Sequence, residues 1–143
     1  MKVEIRFKPT DFATTLKRAT RFIRNNHAKA LDAAALSAIE MIDNRTTNGF
    51  DINGNRFKRY SKKYADYRVK KGRNPYPVDL QFTGRMLNSM RSKKMNYFTR
   101  LVFFRGAENN KKAAMNNKSR QFFGLNRKEQ SRVADIYFKR LIK

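Results

Sequence analysis

The sequence predicts an α+β fold: a long N-terminal helix packed on a small antiparallel sheet, with short helices and a C-terminal helix. Three observations predict it. Apolar residues recur at steps of three or four from Phe12 to Ile42, the spacing of one helix face. Ser92 to Arg105 holds two arms around Asn96, the second (Phe98 to Phe104) rich in aromatic and β-branched residues, which reads as a hairpin. Val133, Ile136, Tyr137 and Leu141 form a closing amphipathic stripe.

Taken in order, Val3, Ile5 and Phe7 alternate with Lys2, Glu4 and Arg6, a strand pattern with one buried face that Pro9 breaks. Thr10 or Asp11 is placed to cap the long helix. Its stripe is Phe12, Leu16, Ala19, Ile23, His27, Leu31, Ala34, Ala38 and Ile42. Ala33 to Ala35, with Ala38, admit a close neighbour. Asn44 to Gly49 end the helix with turn formers. Phe50 to Tyr60 reads as irregular or a short hairpin, with Gly54 at positive φ. Ser61 then caps a short helix to about Lys70, with Tyr64 and Tyr67 facing inward, and Gly72 ends it. Asn74-Pro75-Tyr76-Pro77 is a stiff loop. Thr83 caps a helix carrying Met86, Leu87 and Met90. Glu108 to Asn117 is a short polar helix or a loop. Phe122-Phe123-Gly124 is a brief apolar segment, and Asn126 with Glu129 makes a capping box for the last helix.

The length of 143 residues predicts a single domain, 1–143, with a basic loop region at 50–78 and a hairpin at 92–105. No cysteine is present, so disulfides and cysteine zinc sites are excluded and a reducing compartment fits. No apolar run reaches the roughly 18 residues of a spanning helix. Met1 to Lys8 alternates polar and apolar residues and reads as neither signal peptide nor transit helix. The net charge of +23 opposes compaction and favours an anionic partner: nucleic acid, an anionic membrane or an acidic protein face.

Candidate chemistry is sparse. His27, the single histidine, lies on the apolar stripe and reads as structural. Asp51, Asp66 and Asp79 stand without His or Cys beside them, at no metal-loop spacing. No Gly-rich phosphate loop occurs. No catalytic, cofactor or metal residue is therefore expected. The basic tract is the strongest signal. Arg56, Lys58, Arg59, Lys62, Lys63, Arg68, Lys70, Lys71 and Arg73 face one acid, Asp66, and interleave with Phe57, Tyr60, Tyr64, Tyr67 and Tyr76. Such a tract seats a phosphate backbone or an acidic protein, with the aromatics read as core. A second run, Arg85, Arg91, Lys93, Lys94, Arg100 and Arg105, contains no acid. Lys93 and Lys94 flank the hairpin turn, either as a reaching arm or as protection of a sheet edge. The expected partner contacts are Arg56, Lys58, Arg59, Lys62, Lys63, Lys70, Lys71 and Arg73, with Lys93 and Lys94.

The ordered series Asn53-Gly54…Phe57, Tyr60-Ser61-Lys62-Lys63-Tyr64, Thr83-Gly84-Arg85-Met86-Leu87-Asn88-Ser89 and Arg120-Gln121-Phe122-Phe123-Gly124-Leu125 resembles the virion-morphogenesis, or tail-completion, proteins of tailed bacteriophages, Mu-like and HK97-like. Phe57 stands where that family has Trp, Gln121 where it has Pro, and Glu108 to Ser119 replaces a Tyr-Ala…His…Gly stretch. The resemblance implies a non-enzymatic neck subunit that forms a homo-oligomeric ring in the virion, assembled in the host cytoplasm. It would join the head connector to the tail. The implied partners are portal or connector proteins, tail-terminator or tail-tube proteins, and packaged DNA in the lumen, without a membrane or a cofactor. Gly54, Phe57, Tyr64, Thr83, Gly84, Leu87, Phe122, Phe123 and Gly124 would be its structural residues. The residues alone also admit a non-sequence-specific nucleic-acid-binding protein, or a metal-dependent nuclease using Asp51, Asp66 or Asp79.

Overall fold

A computed structural model describes residues 9–143. The elements are α1 (Pro9–Thr47), α2 (Lys62–Lys70), α3 (Arg85–Asn88), β1 (Met90–Lys94), β2 (Arg100–Phe104), α4 (Ala107–Ser119) and α5 (Arg127–Leu141). The fold is α+β, with one two-stranded antiparallel sheet among the described residues. The strand read at Val3 to Phe7 lies outside them.

Helix α1 is longer than the periodicity indicates, at 39 residues, about 58 Å. It is already helical at Pro9, so Thr10 and Asp11 lie inside it and not at its cap. Proline suits a first helical turn because its missing N–H would have no partner there. At the other end the helix passes Ile42 to Thr47, and its close is dictated by Gly49. Gly49 has φ 84, and its N–H and that of Phe50 return to the Thr46 and Arg45 carbonyls at 2.9 and 3.1 Å. A Cβ there would meet Pro77 Cβ at 3.0 Å and the Val78 carbonyl at 3.1 Å, so this turn needs glycine twice over.

The core lies under the C-terminal half of α1. Ile42, Phe57, Val78, Met86, Leu87, Met90, Phe104, Ala113 and Phe122 are its buried members. Phe104, Phe122 and Phe123 form a ring cluster with centroids 5.0 to 6.3 Å apart. Phe122 is fully buried, which is worth about 1.5–3 kcal/mol for a side chain of this size.

Helix α5 runs antiparallel along α1. Arg45 of α1 meets Glu129 at the start of α5, and Asn26 Nδ2 donates to the Leu141 carbonyl at its end, at 3.3 Å. The face of α1 toward α5 carries Ala30, Ala34 and Ala38, all buried, which lets the two backbones approach. Val133, Ile136, Tyr137 and Leu141 are half-buried against it. The capping box forms as read: Asn126 Oδ1 accepts from the Glu129 N–H and Glu129 accepts from the Asn126 N–H.

The hairpin also forms, two residues earlier than read at its start. Met90 pairs with Phe104 and Lys94 with Arg100, around a turn that includes Asn96. Arg100 fastens it to α1, donating to Asp32 at 2.5 Å and to the Ala28 carbonyl at 3.3 Å. Asp51 Oδ1 accepts from the Asn53 and Asn55 N–H groups at 2.9 and 2.8 Å, closing a tight loop with a single bridge, Phe50 to Arg56. Gly54 has φ 84 there, as read.

Other readings are corrected. Thr83 is not the cap of α3. That position belongs to Gly84 at φ 75, and no side chain caps the helix from it. Thr83 Oγ1 accepts only a long 3.4 Å bond from Arg85 N–H. Helix α3 is a single turn, and Met90 opens β1, because Gly84 starts the turn late and Ser89 closes it. Of the two alternatives read for Glu108 to Asn117, the helix is the one that forms, within α4. The apolar segment of Phe122 and Phe123 reaches the core without regular secondary structure. Asn117 Oδ1 satisfies both their N–H groups at 3.0 Å, so no ladder is needed.

Candidate functional site

Ser61 caps α2 as read, its Oγ accepting from the Tyr64 N–H at 3.3 Å. The helix is turned over relative to the reading. Tyr64 and Tyr67 are 37% and 45% exposed, and the buried residue is Arg68, at 2%. The reason is polar. Arg68 Nε donates to the Asn74 carbonyl at 2.9 Å, Nη1 to the Gln81 carbonyl at 2.8 Å, and Nη2 to Asp79 Oδ1 at 3.2 Å. A guanidinium presents donors in a fixed planar array, and here three points of the α2–α3 loop converge on it. The Tyr60 ring lies 4.8 Å from its centre, with Tyr64 and Phe82 at 5.9 Å.

Tyr60 joins the same knot. Its hydroxyl accepts from the Leu80 N–H at 3.2 Å and stands 3.4 Å from Asp79 Oδ1. Burial pushes this hydroxyl above its ordinary value. The Arg68 guanidinium pulls it down and the Asp79 carboxylate adds to the rise. Leu80 has φ 54, a left-handed conformation that costs a leucine about 1 kcal/mol or more.

Above this knot opens a cleft of about 620 Å³, with Tyr60, Tyr64, Tyr67 and Phe82 on its walls and Arg85, Lys112 and Arg120 among its polar lining. Arg120 Nε and Nη2 donate to the Lys58 and Arg59 carbonyls at 2.8 and 3.1 Å, and its guanidinium lies 5.2 Å from the Tyr60 ring centre. Lys112 pairs with Glu108 at 2.6 Å. That hydrogen bond holds the Glu108 carboxyl below the usual carboxylate range.

The cations read as partner contacts are all exposed: Arg56, Lys58, Arg59, Lys62, Lys63, Lys70, Lys71, Arg73, Lys93 and Lys94. Among the described residues none of them forms an ion pair. Four carboxylates are paired elsewhere, in Arg45–Glu129, Arg68–Asp79, Arg100–Asp32 and Lys112–Glu108. Several are oriented by aromatic rings. Arg56 stands 4.1 Å over Phe50 while Nη1 donates to the Asn48 carbonyl at 2.8 Å. Arg59 lies 5.6 Å over Tyr76, and Lys93 5.3 Å over Phe103. Tyr76 brings Arg56 and Arg59 together. Helix α2 sets Lys62 and Lys63 about 12 Å from Lys70 and Lys71. Lys93 and Lys94 belong to the separate hairpin.

The structural residues implied by the resemblance separate in the same way. Phe57, Leu87 and Phe122 are buried and Phe123 packs against them. Tyr64 is surface, a correction to both readings of it. Gly124 has φ 135, and a Cβ there would stand 2.8 Å from Ile52 Cδ1.

His27 is structural. Its Nε2 donates to the Tyr97 carbonyl at 2.9 Å, Nδ1 lies 2.8 Å from the Tyr137 hydroxyl, and its ring stacks on Tyr97 at 4.5 Å. It joins α1, the hairpin tip and α5. Asp51 holds its own loop, Asp79 holds Arg68, and Asp66 is exposed on α2. Among the described residues no three His, Cys, Asp or Glu side chains are grouped for a metal. No described helix is long and apolar enough to cross a membrane.

The sequence reading missed Arg68, Phe82, Lys112 and Arg120 as one site. The available signal was Tyr60, Tyr64 and Arg68 at successive steps of four, which puts an arginine in line with two aromatics.

One further feature lies at the far end of α1. Every residue from 13 to 25 is exposed, including Leu16 at 56% and Ile23 at 50%. These continue the stripe of His27, Ala30 and Ala34, which α5 and the hairpin cover, into a stretch that nothing described covers.

The chain matches no family model, no curated protein and no solved structure.

Proposed function

We propose that the chain is a non-enzymatic structural subunit of a tailed-phage neck, of the tail-completion kind, which assembles with its own copies into a ring between head connector and tail. The observation that carries this reading is the exposed stretch 13–25 of α1, which no described residue covers. Leu16 and Ile23 prolong a packed helical stripe beyond the last turn of α5. An apolar stripe at helical spacing gains stability only against another surface, and a neighbouring subunit supplies one.

The unpaired cations support the second half of the reading. A ring multiplies a +23 charge and repels itself unless an anionic surface lies beside it. Packaged DNA in the lumen, or acidic faces of portal, connector, tail-terminator or tail-tube proteins, meets that need. In this reading the protein resides in the virion neck after assembly in the host cytoplasm.

The test is charge reversal in the encoding phage. Lys62→Glu, Lys63→Glu and Lys70→Glu together should leave heads and tails unjoined in the lysate while the purified chain keeps its circular dichroism. A full yield of infectious particles would remove the reading. The same free cations favour a second reading, a non-sequence-specific nucleic-acid-binding protein. A monomer with a steep salt dependence on duplex DNA, absent from virions, would select it.

A further inference from the structure

We infer that the cleft beside α2 is a binding site for single-stranded nucleic acid, with bases stacking on Tyr64 and Tyr67 and phosphates meeting Arg85 and Arg120. This goes beyond the assembly reading and stands without it.

The first observation is the arrangement of rings. Tyr64, Tyr67 and Phe82 form a row with centroids 6.1 and 5.6 Å apart and planes turned by only 26° and 17°. Tyr60 closes one end edge-on at 5.0 Å from Tyr64. The row is nearly parallel, its tyrosines are 37% and 45% exposed, and all three rings line the cleft, although Lys71 also stands 5.9 Å over Tyr67. Core aromatics have no need of that exposure, and every nucleobase has a π face to match it.

The second observation is what holds the row. Arg68 is buried against Tyr60, Tyr64 and Phe82, and each of its three nitrogens donates a hydrogen bond, to the Asn74 and Gln81 carbonyls and to Asp79. The platform is therefore positioned from below and does not have to order itself on binding, which lowers the entropic cost of capture.

The third is the charge at the rim. Arg120 is fixed through Nε and Nη2 to backbone carbonyls, and its Nη1 makes no hydrogen bond among the described residues. Arg85 is exposed and forms no ion pair among the described residues, although its charge helps hold the Glu108 carboxyl low. Lys62 and Lys63, also unpaired, begin α2 beside Ser61, which lines the cleft. At about 620 Å³ the opening falls within the usual range of ligand pockets, about 300–1,000 Å³. An acidic peptide would use the cations and leave the ring faces unmatched. A duplex keeps its bases stacked internally and offers none to the row.

The test uses the whole chain and a fluorescent oligothymidylate of about ten nucleotides, compared with a duplex of equal length at about 0.3 M salt, where charge attraction common to both is screened. The expected result is a preference for the single strand of about tenfold or more. Tyr64→Ala/Tyr67→Ala should abolish the preference and leave duplex binding as it was, while Tyr64→Phe/Tyr67→Phe keeps it. The chain has no Trp, so tyrosine emission gives a readout that needs no variant. Oligothymidylate should quench it, and heparin should not. Equal affinity for both nucleic acids, an unaltered preference in the alanine variant, or displacement of the oligonucleotide by polyglutamate as readily as by unlabelled oligothymidylate would overturn the inference. The last outcome would mark the cleft as a protein-docking face. None of these readings depends on whether the protein forms a ring.

Discussion

Arg45 and Glu129, 84 residues apart, form a nearly buried ion pair that joins the end of α1 to the start of α5. The same guanidinium donates to the Phe122 and Gly124 carbonyls at 2.6 and 3.0 Å. Glu129 also closes its own capping box. One contact therefore sets the helix pair, the aromatic anchor and the cap together.

Removing one partner strands the other in a dry site. Arg45→Met should lower stability by about 3 kcal/mol, measured by urea unfolding. Adding Glu129→Gln to that variant should restore part of the loss, because glutamine keeps the cap and carries no charge. A double variant less stable than Arg45→Met alone would contradict this.

Arg68→Lys should cost about 2 kcal/mol despite keeping the charge. An ammonium cannot reach Asn74, Gln81 and Asp79 from one planar group. Thermal unfolding would show the loss, and an unchanged midpoint would mean that the α2–α3 loop does not depend on Arg68.

Gly124→Ala should destabilise by about 1–3 kcal/mol. Two causes are separable. The Ile52 Cδ1 contact at 2.8 Å is with the mobile end of a side chain, whereas φ 135 strains the backbone. Ile52→Val in the alanine background should therefore recover little, and full recovery would assign the cost to the contact.

Burial raises the Asp43 carboxyl above its ordinary value of 3.8, and its Oδ1 has no hydrogen-bond partner. The folded chain then holds this proton more tightly than the unfolded chain. Stability falls as pH rises from 3.8 through the raised folded value, and the loss persists above it. Asp43→Asn should be more stable than the native chain at pH 7, with the difference vanishing below 3.8. An equal gain at both pH values would show that ionisation is not the cause.

Local signals were legible wherever a residue's partner lies close by in sequence. Asn126 and Glu129 satisfy each other within one turn, Asp51 closes a loop of a few residues, and the hairpin arms carry their own pairing pattern. The orientation of α2 was not legible. Its buried side is chosen by loop carbonyls at Asn74 and Gln81, and hydrophobic spacing says nothing of an arginine satisfied that way. Thr83 looked like a cap because Gly84, which takes the position through its φ, leaves no side-chain signature. The cleft needed Arg120, brought from a distant segment by the Lys58 and Arg59 carbonyls, a pairing without any sequence pattern. The surface cations were legible because charge without neighbouring acid stays in water.

The most direct measurement is the solution mass of the whole chain at about 0.5 M salt, where self-repulsion is screened. The account predicts one closed oligomer of defined mass, reduced to monomer by Leu16→Glu/Ile23→Glu with the fold retained. A native chain that stays monomeric at every concentration, or a variant that assembles just as well, would contradict it.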